Sequence, residues 1–175
     1  MEINRKLPLL ALLALVPGCV AQQPAPPPPA PRPTPRVAAM APPAPVDWRD
    51  APLTPGDWTY RQDAGGSLAA FGEPGASPLM VLRCDRARGM VLLDRAGAAS
   101  APLPMTLVTT SMTRTLSATP ASGNPPVLRT SFAAKDSALD AMAFSRGRFE
   151  LEVNGLPTLI VPAWEEIDRV IEDCR

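Results

Sequence analysis

The chain contains no histidine among its 175 residues. That removes the commonest general base and the commonest metal ligand at once. Ser-His-Asp and Cys-His nucleophile systems are therefore excluded. Lysine is almost absent as well, with Lys6 and Lys135 alone. Aromatic residues make up 5% of the chain, and cysteines number three. No apolar run is long enough to span a bilayer: the longest, Leu7 to Val16, is broken by Pro8 and would rise only ~15 Å as a helix against a ~30 Å hydrocarbon core. Charge of either sign is not in excess, at 17 basic and 17 acidic residues. Arg5, Lys6, Arg32, Arg36 and Glu2 precede Asp47, so the remainder is mildly acidic. A nucleic-acid partner, which needs a basic face, is not expected.

What is present begins with an address. Arg5 and Lys6 precede the short apolar run, as in a signal peptide. Leu15-Val16-Pro17-Gly18-Cys19 resembles the lipobox of bacterial lipoproteins, with Val16 and Gly18 three and one before the cysteine and Pro17 as the atypical member. The resemblance implies that residues 1–18 are removed and that the Cys19 thiol is acylated (palmitate among its chains). Several chains on one residue anchor stably, where one alone is marginal. Val20 follows Cys19 where Asp would retain a lipoprotein at the inner membrane. The expected location is the cell envelope, lipid-anchored at the outer membrane and facing the periplasm. The alternative is free secretion with cleavage after Ala21, which would discard Cys19.

Gln22 to Val46 contains eleven prolines. Proline removes backbone donors, so this stretch reads as a polyproline II spacer of up to about 75 Å. Residues 19–46 are thus the anchor and tether, and 47–175 a single domain of ordinary size.

Short β runs alternate with turn signals through that domain. Trp58 to Gln62, Ser67 to Phe71, Pro78 to Cys84, Gly89 to Asp94, Met105 to Leu116 and Val127 to Phe132 read as strands, with Trp48 as an early anchor. Arg148 to Val153 alternates charged and apolar residues. Asn154-Gly155 then marks a hairpin returning through Leu156 to Val161, with Pro157 favouring an edge. A short helix is expected from Asp136 or Ser137 through Ser145, stopped by Gly147. A second runs from about Ala163, opened by Pro162, with Trp164, Ile167, Ile171 and Cys174 on one stripe. The expected fold class is α+β: an antiparallel meander with the short helix and a C-terminal helix packed on the sheet. In an oxidising compartment Cys84 and Cys174 are expected to pair, since both can point into the helix–sheet interface. The bridge would close the fold.

Candidate ligand-binding residues are Arg83, Arg86 and Arg88 around a turn, which could hold a phosphate or carboxylate, and Trp58 with Tyr60, which could stack on a sugar ring. A solvated turn and a core pair are the plainer readings. Thr109, Ser111, Thr113, Thr115 and Ser117 form a hydroxyl comb, on what reads as the exposed face of a long strand. Lys135 with Ser131 or Ser137 would need a buried lysine to work as a dyad, and Lys135 sits beside Asp136. The pairs Glu150/Glu152 and Glu165/Glu166 fall on a strand face and a helix start. No catalytic residue, metal site or cofactor is expected, and the chain does not read as an enzyme.

Four stretches carry a wider resemblance: Gly56-Asp57-Trp58-Thr59-Tyr60, Leu82-Arg83-Cys84-Asp85, Ala141 through Phe149, and Pro162-Ala163-Trp164 with the ending Ile171 to Arg175. Spread over most of the domain, they resemble small exported lipoproteins of GC-rich proteobacteria, a group with no assigned activity. More distantly, the chain is similar to periplasmic accessory proteins of type VI secretion, which combine an early Trp-x-Tyr strand, a mid-chain Leu-Arg-Cys and a late cysteine. The likeness implies a disulfide-closed β domain and a non-enzymatic role. The expected function is a protein-binding or accessory module with an envelope protein partner. A glycan or small-ligand module, or an inhibitor of a cell-wall hydrolase, is the alternative.

Overall fold

The computed structural model describes residues 47–175. The chain divides between Pro42 and Pro43, and the described residues fall in the second unit. The signal segment, Cys19 and the proline spacer lie outside them. Among the described residues, no helix is long and apolar enough to cross a membrane.

Nine antiparallel strands form the body: β1 (Asp57–Asp63), β2 (Gly66–Gly72), β3 (Met80–Asp85), β4 (Met90–Ala96), β5 (Leu103–Val108), β6 (Thr113–Ala121), β7 (Val127–Ala133), β8 (Arg148–Val153) and β9 (Leu159–Pro162). Two helices, α1 (Ser137–Ala143) and α2 (Glu165–Asp173), complete it. The domain is mostly β, with the helices in the minority.

The strand order is β1-β2-β3-β4-β7-β6-β5-β8-β9, so the expected meander holds for β1 to β4 and then breaks. The chain jumps from β4 to β5, and β5, β6 and β7 zigzag back until β7 pairs with β4. A cross-strand ion pair fixes that closure. Asp94 and Arg129 are register partners, and Arg129 Nε and Nη2 donate to the two Asp94 carboxylate oxygens at 2.6 and 2.7 Å. This fork geometry matches a carboxylate on both sides. Strand β6 serves two neighbours: Thr113 to Ala118 pair with β5, and Thr119 to Ala121 with β7.

The sheet curls until its ends meet. Trp58 Nε1 on β1 donates to the Pro162 carbonyl of β9 at 2.8 Å. Just before β1, Thr54 N donates to Ile160 O, and Thr54 Oγ1 accepts from Ile160 N, both at 2.9 Å. The segment entering the domain thus covers the free edge of β9, where open backbone groups would invite another strand.

Alternation sets what lies inside. In β8, Phe149, Leu151 and Val153 are buried, while Arg148, Glu150 and Glu152 point outward. They join Phe71, Met80, Leu82, Leu93, Met105, Leu107, Leu128 and Phe132 in one core. Each such side chain contributes roughly 1.5–3 kcal/mol by leaving water. Helix α2 adds Ile167, Val170 and Ile171 and packs across β1, β2 and β3. Cys84 and Cys174 form the expected disulfide, with Cα atoms 5.3 Å apart. At Gly66, whose φ is +148°, any side chain would collide with the Cys84 carbonyl, so glycine is needed beside the bridge.

Several expectations are corrected. Met105 to Leu116 is a hairpin, not one long strand: Thr109 to Met112 turn the chain, with Thr109 Oγ1 accepting from Met112 N at 2.9 Å. Pro162 closes β9 instead of opening α2, and Trp164 leaves the apolar stripe to stand 46% exposed at the helix start. Helix α1 ends at Ala143, because Ser145 turns away to accept from Thr110 N at 3.2 Å and to donate to Arg148 O. The Asn154-Gly155 turn forms, with Leu156 N on Val153 O at 3.0 Å, but β9 pairs with β8 only from Leu159 onward.

Candidate functional site

The residues singled out from the sequence do not converge. Trp58 is 6% exposed, packs on Phe71 at 5.3 Å between ring centroids, and commits its indole N–H to Pro162. Tyr60 is half-buried. Its hydroxyl donates to Asp173 Oδ2 at the end of α2, and the Arg169 guanidinium lies 4.0 Å from its ring centre. That hydroxyl holds the Asp173 carboxyl below its usual range. Arg86 reaches the same helix end, its Nε 3.4 Å from Asp173 O. Arg83 pairs with Asp63 at 3.1 Å and Arg88 with Asp85 at 2.8 Å. Arg83 and Arg88 are thus neutralised, whereas Arg86 meets a backbone carbonyl.

Arg83 also borders a shallow concavity of ≈ 420 Å³ on the outer face of β1, β2 and β3, together with Arg61, Asp57 and Glu73. Its charges are mixed, and neither Trp58 nor Tyr60 lines it. The hydroxyl comb is divided by the hairpin. Thr109 is buried as the turn's anchor, Ser111 sits in the turn, and Thr113, Thr115 and Ser117 face outward on β6. Lys135, Ser131 and Ser137 are all exposed. Glu150 is held above the usual carboxylate range by burial, with Glu152 and Asp47 adding repulsion.

A different place gathers chemistry. Arg49, Thr110, Ser111, Phe144, Arg146 and Arg148 line a cleft of ≈ 630 Å³. Three segments build it: the entry to the domain, the β5–β6 turn, and the connection from α1 to β8. The last two are laced together. Thr110 N donates to Ser145 Oγ, and Arg146 N to Thr110 Oγ1, at 3.2 and 3.3 Å. Arg148 Nη1 donates to Ala51 O at 2.6 Å, which ties in the entry segment. Arg49 sits over Trp48 at 4.8 Å and pairs with Asp47 at 3.2 Å. The Asp47 carboxyl is lowered, mainly by the Arg49 backbone N–H.

Phe144 stands 74% exposed at this cleft. Among the described residues Leu53 and Trp164 are the other exposed large apolar side chains, each less than half exposed. Ala163 N donates to Gly147 O at 3.2 Å, which ties the start of α2 to the connection that carries Phe144.

Sequence reasoning missed this cleft. One signal was available: Phe144 falls two residues past Met142, off the stripe that buries Leu139 and Met142. The meeting of Thr110 with Arg146, 36 residues apart, leaves no local trace.

No family model, curated protein or solved structure matches the chain.

Proposed function

We propose that this chain is a non-catalytic cell-envelope lipoprotein, anchored through Cys19 and acting as a protein-binding or accessory module. The observation that carries the reading is Phe144, a large apolar side chain standing in water on a segment hydrogen-bonded to the β5–β6 turn. Aromatic side chains are frequent anchors of protein interfaces, and Phe144 stands beside a cleft that a partner side chain could enter. The lipobox and spacer support the envelope setting, with the domain held off the outer membrane on its periplasmic side. The absence of histidine supports a role without catalysis. The likeness to small exported lipoproteins and to type VI secretion accessory proteins points the same way.

The test is crosslinking in intact cells of the full-length chain, against Phe144→Asp. A discrete protein adduct that the substitution removes is expected. Absence of any protein adduct, with the chain retained on peptidoglycan or another envelope glycan, would overturn the reading in favour of a ligand-binding module.

A further inference from the structure

We propose that the cleft bordered by Phe144 binds a carboxylate presented by a partner polypeptide, with an apolar side chain next to that carboxylate resting on the Phe144 ring. This deepens the protein-binding reading and rests on it.

The cleft is positively charged. No acidic residue lines it. Among the described residues, the Arg146 side chain meets no acceptor, since only its backbone N–H is engaged. Arg148 uses one guanidinium nitrogen on Ala51 O. That bond fixes the group and leaves donors for a ligand, because guanidinium carries five. Arg49 is neutralised by Asp47 just outside. Among the described residues, two positive charges thus remain without a carboxylate partner, in a domain that is acidic overall. Arg83, Arg88, Arg114, Arg129 and Arg175 each hold a carboxylate, and of the arginines that do not, Arg146 and Arg148 are the two that share one cleft with an exposed aromatic ring.

Hydroxyl donors and an apolar ring surround the charges. Ser111 offers a hydroxyl, and Thr110 Oγ1, which accepts from Arg146 N, still has its own proton to donate. Guanidinium and hydroxyl donors together satisfy a carboxylate's lone pairs. Phe144 selects what is attached to it. Free phosphate or sulfate has no apolar part to cover an exposed ring, whereas an acidic residue beside an apolar one fills both halves. The outer concavity offers no such site, because Asp57 and Glu73 line it with Arg61 and Arg83.

The experiment uses the full-length chain in detergent micelles and a fluorescein-labelled peptide of alternating Asp and Leu, read by anisotropy. Saturable binding is expected. It should weaken about ten-fold, one charge-assisted hydrogen bond's worth, when Asn replaces Asp in the peptide, and by a similar factor in Arg146→Gln. Arg146→Lys should recover part of the loss. Arg146 is exposed and holds no protein partner through its side chain, so unfolding curves of both variants should overlay the parent. Equal binding of the Asp and Asn peptides would overturn the proposal, as would an unchanged Arg146→Gln or displacement by inorganic phosphate as effective as by unlabelled peptide. If the Asp peptide fails to bind while the Phe144-dependent crosslink persists, the carboxylate inference falls alone. If both fail, the protein-binding reading falls with it.

Discussion

Trp58 Nε1 donates to the carbonyl of Pro162 over 2.8 Å, and this one bond joins the first strand of the sheet to the last. The two residues are 104 apart in sequence. Both sides of the bond are buried, so removing the donor leaves a carbonyl that water cannot reach. Trp58→Phe keeps most of the apolar volume and should cost about 1–3 kcal/mol. Trp58→Ala adds a cavity and should cost roughly 3–5 kcal/mol. Urea unfolding of both variants checks the order; equal losses would show that the hydrogen bond contributes nothing.

The disulfide gives a second prediction. Cys84 and Cys174 enclose 90 residues of chain, worth up to about 4.6 kcal/mol on the chain-entropy account. Cys84→Ser and Cys174→Ser should lower thermal stability by similar amounts. The double variant should lose little more, because both singles remove the same bond. Clearly unequal single losses would contradict this.

Arg95 is 4% exposed and has no carboxylate partner among the described residues. Its guanidinium instead donates to the carbonyls of Leu79, Ala96 and Pro157 at 3.4, 2.6 and 3.1 Å. Burial lowers its pKa from the ordinary arginine value. The side chain fastens the β8–β9 connection to β3 and β4. Arg95→Met removes the donor from all three carbonyls and should destabilise by on the order of 2 kcal/mol, read by urea unfolding. A neutral result would mean that relief of the buried charge offsets the lost bonds.

Asp173 links stability to pH. The Tyr60 hydroxyl depresses its folded-state pKa. A depressed carboxyl stabilises the fold above the unfolded-chain value, near 3.9. That contribution is lost as pH falls through the folded-state value. The group is partly exposed, so screening keeps the effect small. Asp173→Asn should therefore narrow the stability difference between neutral pH and acid, with its own loss confined to the neutral side. An acid-side loss of equal size would refute the linkage.

The β runs, the disulfide and both helices were legible because each rests on local pattern. Alternation in Phe149, Leu151 and Val153 survives packing, and Asp136 caps α1 through Ala138 N as its residue type suggests. The β5–β6 hairpin was not legible. Its turn, Thr109 to Met112, has no Gly, Pro or Asn and is closed by the Thr109 side chain, so alternation seemed to run through it. The β4–β7 pairing was hidden too, since Asp94 and Arg129 recognise each other across 35 residues of intervening chain. The arginines at the Asp85 turn drew attention by clustering in sequence, yet each meets a partner of its own. Arg146 meets the β5–β6 turn through Thr110, and Arg148 meets the entry segment through Ala51, contacts 36 and 97 residues apart in sequence.

The most direct test of the central claim places a photoreactive residue at position 144 in the full-length chain and irradiates living cells, with position 117 on the outer face of β6 as the comparison. One discrete protein adduct is expected from position 144, weakened by Arg146→Gln, and none from position 117. Protein adducts of equal yield from both positions, or none from either, would contradict that claim.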